Sequence, residues 1–148
     1  MSEEEQSITD KIMVFWEADS KLDRYNLSQE AVNISKLHFK YLNLMKQTNA
    51  QLAKLKRRKD KMFLEKSLFY NGKGDPDEYR EKNFHLKVQK SDLDVYIKAD
   101  DDYAKVLEKI SEYDSLKELL TSILWMIRDR KDHIKSAIEW DRFTSGNG

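Results

Sequence analysis

Cysteine is absent from the chain, proline occurs once, and glycine occurs four times in 148 residues. Without cysteine, disulfides, thiol catalysis and cysteine metal sites are excluded. The absence also fits a reducing compartment. The scarcity of proline and glycine removes the two residues that most reliably break helices. No run approaches the roughly 20 apolar residues that a bilayer span requires, so no membrane partner is expected. The opening residues Met1-Ser2-Glu3-Glu4-Glu5 are acidic and polar. They carry neither the basic nor the apolar part of a secretion signal. A soluble protein of the cytoplasm is the expectation.

What is present is charge. Charged residues make up 36% of the chain and hydrophobic residues 39%, too apolar for a disordered tail and unusually charged for a compact globule. Such a composition favours long exposed helices, which bury little surface alone and so suggest self-assembly. The net charge is zero, but its distribution is uneven. Residues 1–30 carry 3 basic and 8 acidic side chains (net −5), 31–90 carry 15 and 6 (net +9), 91–115 carry 3 and 8 (net −5), and 116–148 carry 6 and 5 (net +1). A basic block between acidic ones points to an anionic partner for the middle of the chain.

Along the chain, Ile8 to Asp19 is apolar-rich, with Thr9 or Asp10 as a helix cap, although its Val, Ile and aromatics suit a strand equally. From Ser28 to Tyr70 neither proline nor glycine intervenes. Tyr41, Met45, Thr48, Leu52, Leu55, Met62 and Phe69 fall at gaps of 3, 4 and 7, a heptad seam. This predicts one long helix, capped by Ser28 and ended by Asn71-Gly72. Residues 71–77 read as a loop. The alternation of Leu86/Val88 and Leu93/Val95/Ile97 predicts a small β element or extended connector around 84–98. Asp100, Asp101 and Asp102 suit a helix N-terminus, and Ser115-Leu116-Lys117-Glu118 is a capping box that predicts a fresh helix. Its stripe is Leu120, Leu124, Ile127, Ile134 and Ile138, with Leu119, Ile123 and Trp140 beside it and Lys131 interrupting it. That stripe suits a monomer core and an oligomer seam about equally. The expected class is mainly α: long antiparallel helices with coiled-coil-like oligomerisation. One domain is expected, with an N-terminal segment 1–27, a long basic helix 28–71, a connector 72–99, C-terminal helices 100–143 and a tail 144–148.

The sharpest constellation is basic. Six of the eight residues from Lys54 to Lys61 are cations: Lys54, Lys56, Arg57, Arg58, Lys59 and Lys61. Lys56, Lys59, Phe63, Lys66 and Tyr70, spaced 3, 4, 3 and 4, share one helical face. Cations alternating with rings suit a single strand, since Lys and Arg meet phosphates while rings stack on bases without reading sequence. A solvated charged face with core aromatics explains the same pattern about as well. The loop Asn71-Gly72-Lys73-Gly74 lacks the spacing of a phosphate-binding P-loop, so a helix stop is the better reading. The carboxylates at Asp75/Asp77/Glu78 and Asp100/Asp101/Asp102 do not fit an EF-hand. His38, His85 and His133 have no paired-ligand spacing. No nucleophile and base pair up, so neither an enzyme, a metal nor a cofactor is expected.

The segment Tyr70-Asn71-Gly72-Lys73-Gly74-Asp75-Pro76-Asp77-Glu78-Tyr79 resembles the UvsY family of T4-like phages. That family carries there an aromatic, a small polar residue, Gly, a basic residue, Gly, Asp, any residue, Asp, Glu and an aromatic. The resemblance continues at Lys40-Tyr41-Leu42-Asn43, Lys90-Ser91-Asp92, Asp100 with Asp102, and Ile134-Lys135, and covers about residues 36–143. Arg142 and Phe143 are adjacent, without the family's intervening residue, and Leu64 stands where the family has another Lys. The resemblance implies a recombination mediator without catalytic activity, acting in phage recombination, replication and repair. It implies that the protein binds single-stranded DNA, contacts a single-strand-binding protein, and loads a RecA-like recombinase of the UvsX type. It also implies a ring-like homo-oligomer of about six or seven subunits, closed through the C-terminal helix. The family's basic positions fall on Lys59 and Lys66. Together with the residue reading, the expected DNA contacts are Lys54, Lys56, Arg57, Arg58, Lys59, Lys61, Phe63, Lys66, Tyr70 and Lys73. The expected oligomer contacts are Leu120, Leu124, Ile127, Ile134 and Ile138. The rival reading is a coiled-coil scaffold or adaptor with no nucleic-acid role.

Overall fold

Residues 7–146 are described by the structure, a computed structural model. The acidic start and the last two residues of the expected tail lie outside the described residues. Five α-helices follow in order: α1 (Ile8–Asp19), α2 (Leu27–Tyr70), α3 (Pro76–Glu81), α4 (Leu93–Ala99) and α5 (Asp101–Thr144), with a 3₁₀ turn at Lys90–Asp92. Helix α1 settles the helix-or-strand ambiguity, and its cap is Ser7, whose hydroxyl accepts from the Asp10 amide at 3.1 Å. The cap lies just ahead of the expected Thr9 or Asp10. Helix α2 begins at Leu27, one residue before the expected Ser28 cap, and stops at Tyr70. The Gly72 amide donates to Phe69 O and the Lys73 amide to Leu68 O, with Gly72 at φ +79°. That is a Schellman stop, in which the left-handed residue is normally glycine.

Two sequence expectations are corrected. Of the expected small β element or extended connector around 84–98, residues 84–89 are the connector; among the described residues there is no strand, and Leu93 to Ala99 is helical. The apparent alternation of Leu93, Val95 and Ile97 misleads because Val95 is 65% exposed. The inward positions are Leu93, Tyr96 and Ile97, spaced i, i+3, i+4, which is a helical face. Nor does a fresh helix start at Ser115; α5 runs unbroken through it. Ile110, Tyr113, Leu116 and Leu120 keep an inward face across the capping box, so packing overrides the local start signal.

The chain forms two compact units. One contains Ala50–Tyr113 and the other holds the residues up to Asn49 with those from Asp114 onward. In the second of these, Ile12, Leu27, Tyr41, Leu116, Leu120, Ile123, Ile127 and Ile134 are buried. Trp16 packs edge-on to Tyr41 at 5.5 Å, and the Tyr41 hydroxyl donates to Asp19 Oδ2 at 2.8 Å. Buried Arg130 donates to the carbonyls of Asp19 (2.8 Å) and Lys21 (2.9 Å) and pairs with Glu30 at 3.2 Å. One guanidinium thus satisfies carbonyls left free at the end of α1 and ties them to both long helices. In the unit Ala50–Tyr113, the core is Leu52, Phe69, Ile97, Tyr103 and Val106. There α2 and α5 run antiparallel, with Leu55 lining the same groove as Glu112, and Lys66 paired to Asp102.

Candidate nucleic-acid interface

The unbroken α2 decides what the basic stretch presents. Its inward positions in this stretch are Leu52, Leu55, Lys59, Met62, Lys66 and Phe69, a heptad run with two lysines in it. Most residues off that run face solvent, Ser67 and Tyr70 being half-buried. Lys54, Lys56, Arg57, Arg58 and Lys61 are exposed, Lys59 is half-buried, and Lys73 is exposed in the loop. Among the described residues none of these seven lies within ion-pair distance of a carboxylate. Phe63 is 42% exposed and leans on Tyr103 at 6.1 Å. Arg58 differs from its neighbours: it lines an open groove of about 640 Å³ together with Asp102, Glu108 and Glu112. Lys105 and Lys109 line the same groove, so Arg58 sits among charges of both signs.

Lys66 and Tyr70 do not join the exposed cations. Lys66 is only 7% exposed, and its ammonium lies 3.2 Å from Asp100 and 3.1 Å from Asp102. The Tyr70 hydroxyl donates to Asp100 Oδ2 at 2.7 Å. The other oxygen of Asp100 accepts from the amides of Asp102 (3.0 Å) and Tyr103 (3.1 Å), capping α5. The Tyr70 ring packs against Phe69, Phe84 and Tyr96. In this structure, then, the expected strand contacts at Lys66 and Tyr70 are engaged within the protein. The heptad spacing of Met62, Lys66 and Phe69 is the sequence signal that places Lys66 inward, and it competes with the face shared by Lys56, Lys59, Phe63, Lys66 and Tyr70.

The electrostatics of this cluster follow from its geometry. Burial by itself pushes the Asp100 carboxyl up, but hydrogen bonds from Tyr70, the Tyr103 amide and Lys66 outweigh it and hold the group below 3.8. Burial likewise pushes Lys66 down, and its bonds to Asp102 and Asp100 overcome that and raise it. Asp19 is lowered in the same way, burial being outweighed by bonds from Lys40 and Tyr41. A carboxyl depressed in the folded state adds stability that is complete above its unfolded value and is lost as pH falls through the folded value. The urea midpoint should therefore be flat above about pH 5 and fall below about pH 4. Asp100→Asn should lower the plateau and make the acid fall shallower; a fall as steep as wild type would assign the acid sensitivity elsewhere.

The loop motif is built on one tyrosine. The Tyr79 hydroxyl donates to Phe69 O and accepts from the Gly74 amide at 2.8 Å. A Cβ on Gly74 would meet that hydroxyl oxygen at 2.9 Å, so the second glycine is a close approach. Asp75 caps α3 through the Asp77 amide at 3.0 Å, with Pro76 in the first turn.

In the C-terminal stripe, Leu120, Ile127 and Ile134 are buried in the core of their own unit, while Leu124 and Ile138 are half-buried. The inward face runs through Ile123 and Arg130, whereas the interrupting Lys131 is exposed. Outward-facing on the same helix are Trp125 (57% exposed), Met126, Trp140 and Phe143 (74% exposed).

The described residues define a class: an all-helical protein of two long helices, with a dense, unpaired cationic stretch and an exposed ring on one of them. The chain belongs to the UvsY family. Residues 15–147 match the model of that family, described as recombination, repair and ssDNA binding protein UvsY. The fold is shared with two crystal structures of the bacteriophage T4 recombination mediator protein UvsY. The lattice type II structure superposes with TM-score 0.80 at 23% identity, covering 92% of this chain and 96% of that one. Lattice type I gives TM-score 0.81 at 24% identity, covering 90% and 98%. No curated protein matches the chain. Among the described residues no helix is long and apolar enough to cross a membrane.

Proposed function

We propose that the protein binds single-stranded DNA through the exposed side of α2 and acts, without catalysis of its own, as a recombination mediator. The observation that carries this is the run Lys54–Lys61, six cations in eight residues with no ion-pair partner among the described residues, beside the exposed ring of Phe63. Keeping so many like charges adjacent and unpaired costs free energy unless an anion neutralises them. Lys54, Lys56, Arg57 and Lys61 take phosphates, with half-buried Lys59 at the margin, Phe63 stacks on a base, and Lys73 extends the cationic surface past the end of the helix.

The mediator works as a ring-like homo-oligomer of about six or seven copies, in which many weak sites on one strand give avidity. With Leu120, Ile127 and Ile134 in the core, the outward Trp125, Met126, Trp140 and Phe143 carry the contact between copies, with Leu124 and Ile138 at its margin. The loaded recombinase is RecA-like, of the UvsX type, and the strand it receives comes from a single-strand-binding protein in the host cytoplasm. Anisotropy of a labelled oligonucleotide at several salt concentrations, with light scattering for mass, tests this. Tight binding at low salt that weakens along a linear log–log slope, by an assembly of several copies, is the expected result. A monomer indifferent to the oligonucleotide would leave only the adaptor reading.

A further inference from the structure

The end of α2, the loop after it and the segment 84–88 enclose a cavity of about 250 Å³. Phe69, Tyr70, Tyr79 and Phe84 line it. These rings form one cluster: Phe69 stacks on Tyr79 at 4.6 Å and 13°, and Phe84 lies 5.4 Å from both Phe69 and Tyr70. The rings leave space between them that opens to solvent beside the exposed Asn71, Leu86 and Lys87. Two polar groups join the wall. Asn71 brings an amide that both donates and accepts, and Lys87 brings an ammonium without an ion-pair partner among the described residues.

Aromatic walls, one amide and one cation suit a flat heterocycle with hydrogen-bonding edges and an anionic attachment. Its place on the molecule narrows the choice. Phe69 lies eight residues beyond Lys61 on the same helix. That is about 12 Å at the helical rise, or roughly four nucleotides at the spacing of a stacked strand. Lys73 is exposed and follows directly in sequence on Asn71 and Gly72, which line the cavity. We infer that this cavity takes one nucleobase of the bound single strand, unstacked from its neighbours, with Lys87 and Lys73 on the flanking phosphates. The inference rests on the single-stranded DNA reading above. It adds a site of inserted base to a surface otherwise held by phosphates and one ring. Binding in this mode tethers the strand at fixed intervals, one base per subunit.

The test compares an oligonucleotide with an abasic phosphodiester of the same length, using wild type and Val88→Phe, which fills the cavity from a half-buried wall position. Val88→Phe should bind the intact strand roughly tenfold more weakly, the size of one lost base stack. It should bind the abasic strand as wild type does, with an unchanged salt slope. If Val88→Phe does not fold, Leu86→Trp closes the mouth from a position 65% exposed, and the same comparison applies. A filled cavity with unaltered affinity for the intact strand overturns the inference, as does equal weakening towards both strands. Deoxyadenosine monophosphate at millimolar concentration should not displace the strand; displacement would make the cavity a free-nucleotide site. Wild type that binds neither strand sinks the single-stranded DNA reading as well, whereas wild type that binds both while Val88→Phe changes nothing sinks only the cavity.

Discussion

Replacing Lys54, Lys56, Arg57 and Lys61 together by alanine should weaken oligonucleotide binding on the order of 100-fold at low salt and flatten its salt dependence. Each phosphate contact on a single strand contributes about 0.7 to the log–log slope, so four contacts remove about 2.8 per subunit engaged. All four side chains are exposed and unpaired among the described residues, so the protein should lose little stability. Alanine is also a better helix former than what it replaces. The measurement is anisotropy across a salt series, with the circular dichroism melt as the control for folding. A variant that keeps both its affinity and its slope would place the strand elsewhere on the molecule.

Lys66→Met should do the reverse: destabilise the fold while leaving the salt slope unchanged. Methionine retains most of the buried stem but removes the ammonium between Asp100 and Asp102. Breaking a buried pair from one side leaves a desolvated charge, and the cost is about 3 kcal/mol. Asp100 keeps its bonds from Tyr70 and the α5 amides, which holds the figure at the lower end. For a chain of this length that is roughly a 10 °C lower Tm. Lys66→Met combined with Asp100→Asn should recover part of the loss, since the second change removes the stranded carboxylate. A normal melt with a shallower salt slope would instead make Lys66 a strand contact, which requires it to leave its carboxylates when DNA binds.

These two lysines mark how far the sequence reaches. Lys59 and Lys66, the two lysines that the family resemblance singles out, lie seven residues apart on the inward run of α2. One is half-buried without an ion-pair partner among the described residues; the other is sealed by two aspartates more than thirty residues away in sequence. No local pattern distinguishes them, because the difference is made by the start of α5 and not by α2. Arg130 carries the same lesson. The sequence places the C-terminal stripe through Leu124 with Lys131 interrupting it, whereas the inward face runs one residue earlier, through Ile123 and Arg130. The carbonyls of Asp19 and Lys21 decide for Arg130.

The long helix α2, its stop at the Asn71-Gly72 turn, the density of the basic stretch and the family motif from Tyr70 to Tyr79 were legible in the sequence alone. Each rests on interactions within a few residues: propensity, the left-handed glycine, and charge held close on one segment. Which cations stay free, which apolar stripe becomes core, and whether 93–99 is strand or helix were decided by tertiary structure. Those outcomes depend on which distant groups arrive to satisfy or bury a side chain, and pairing over such sequence separations leaves no periodic trace in the chain.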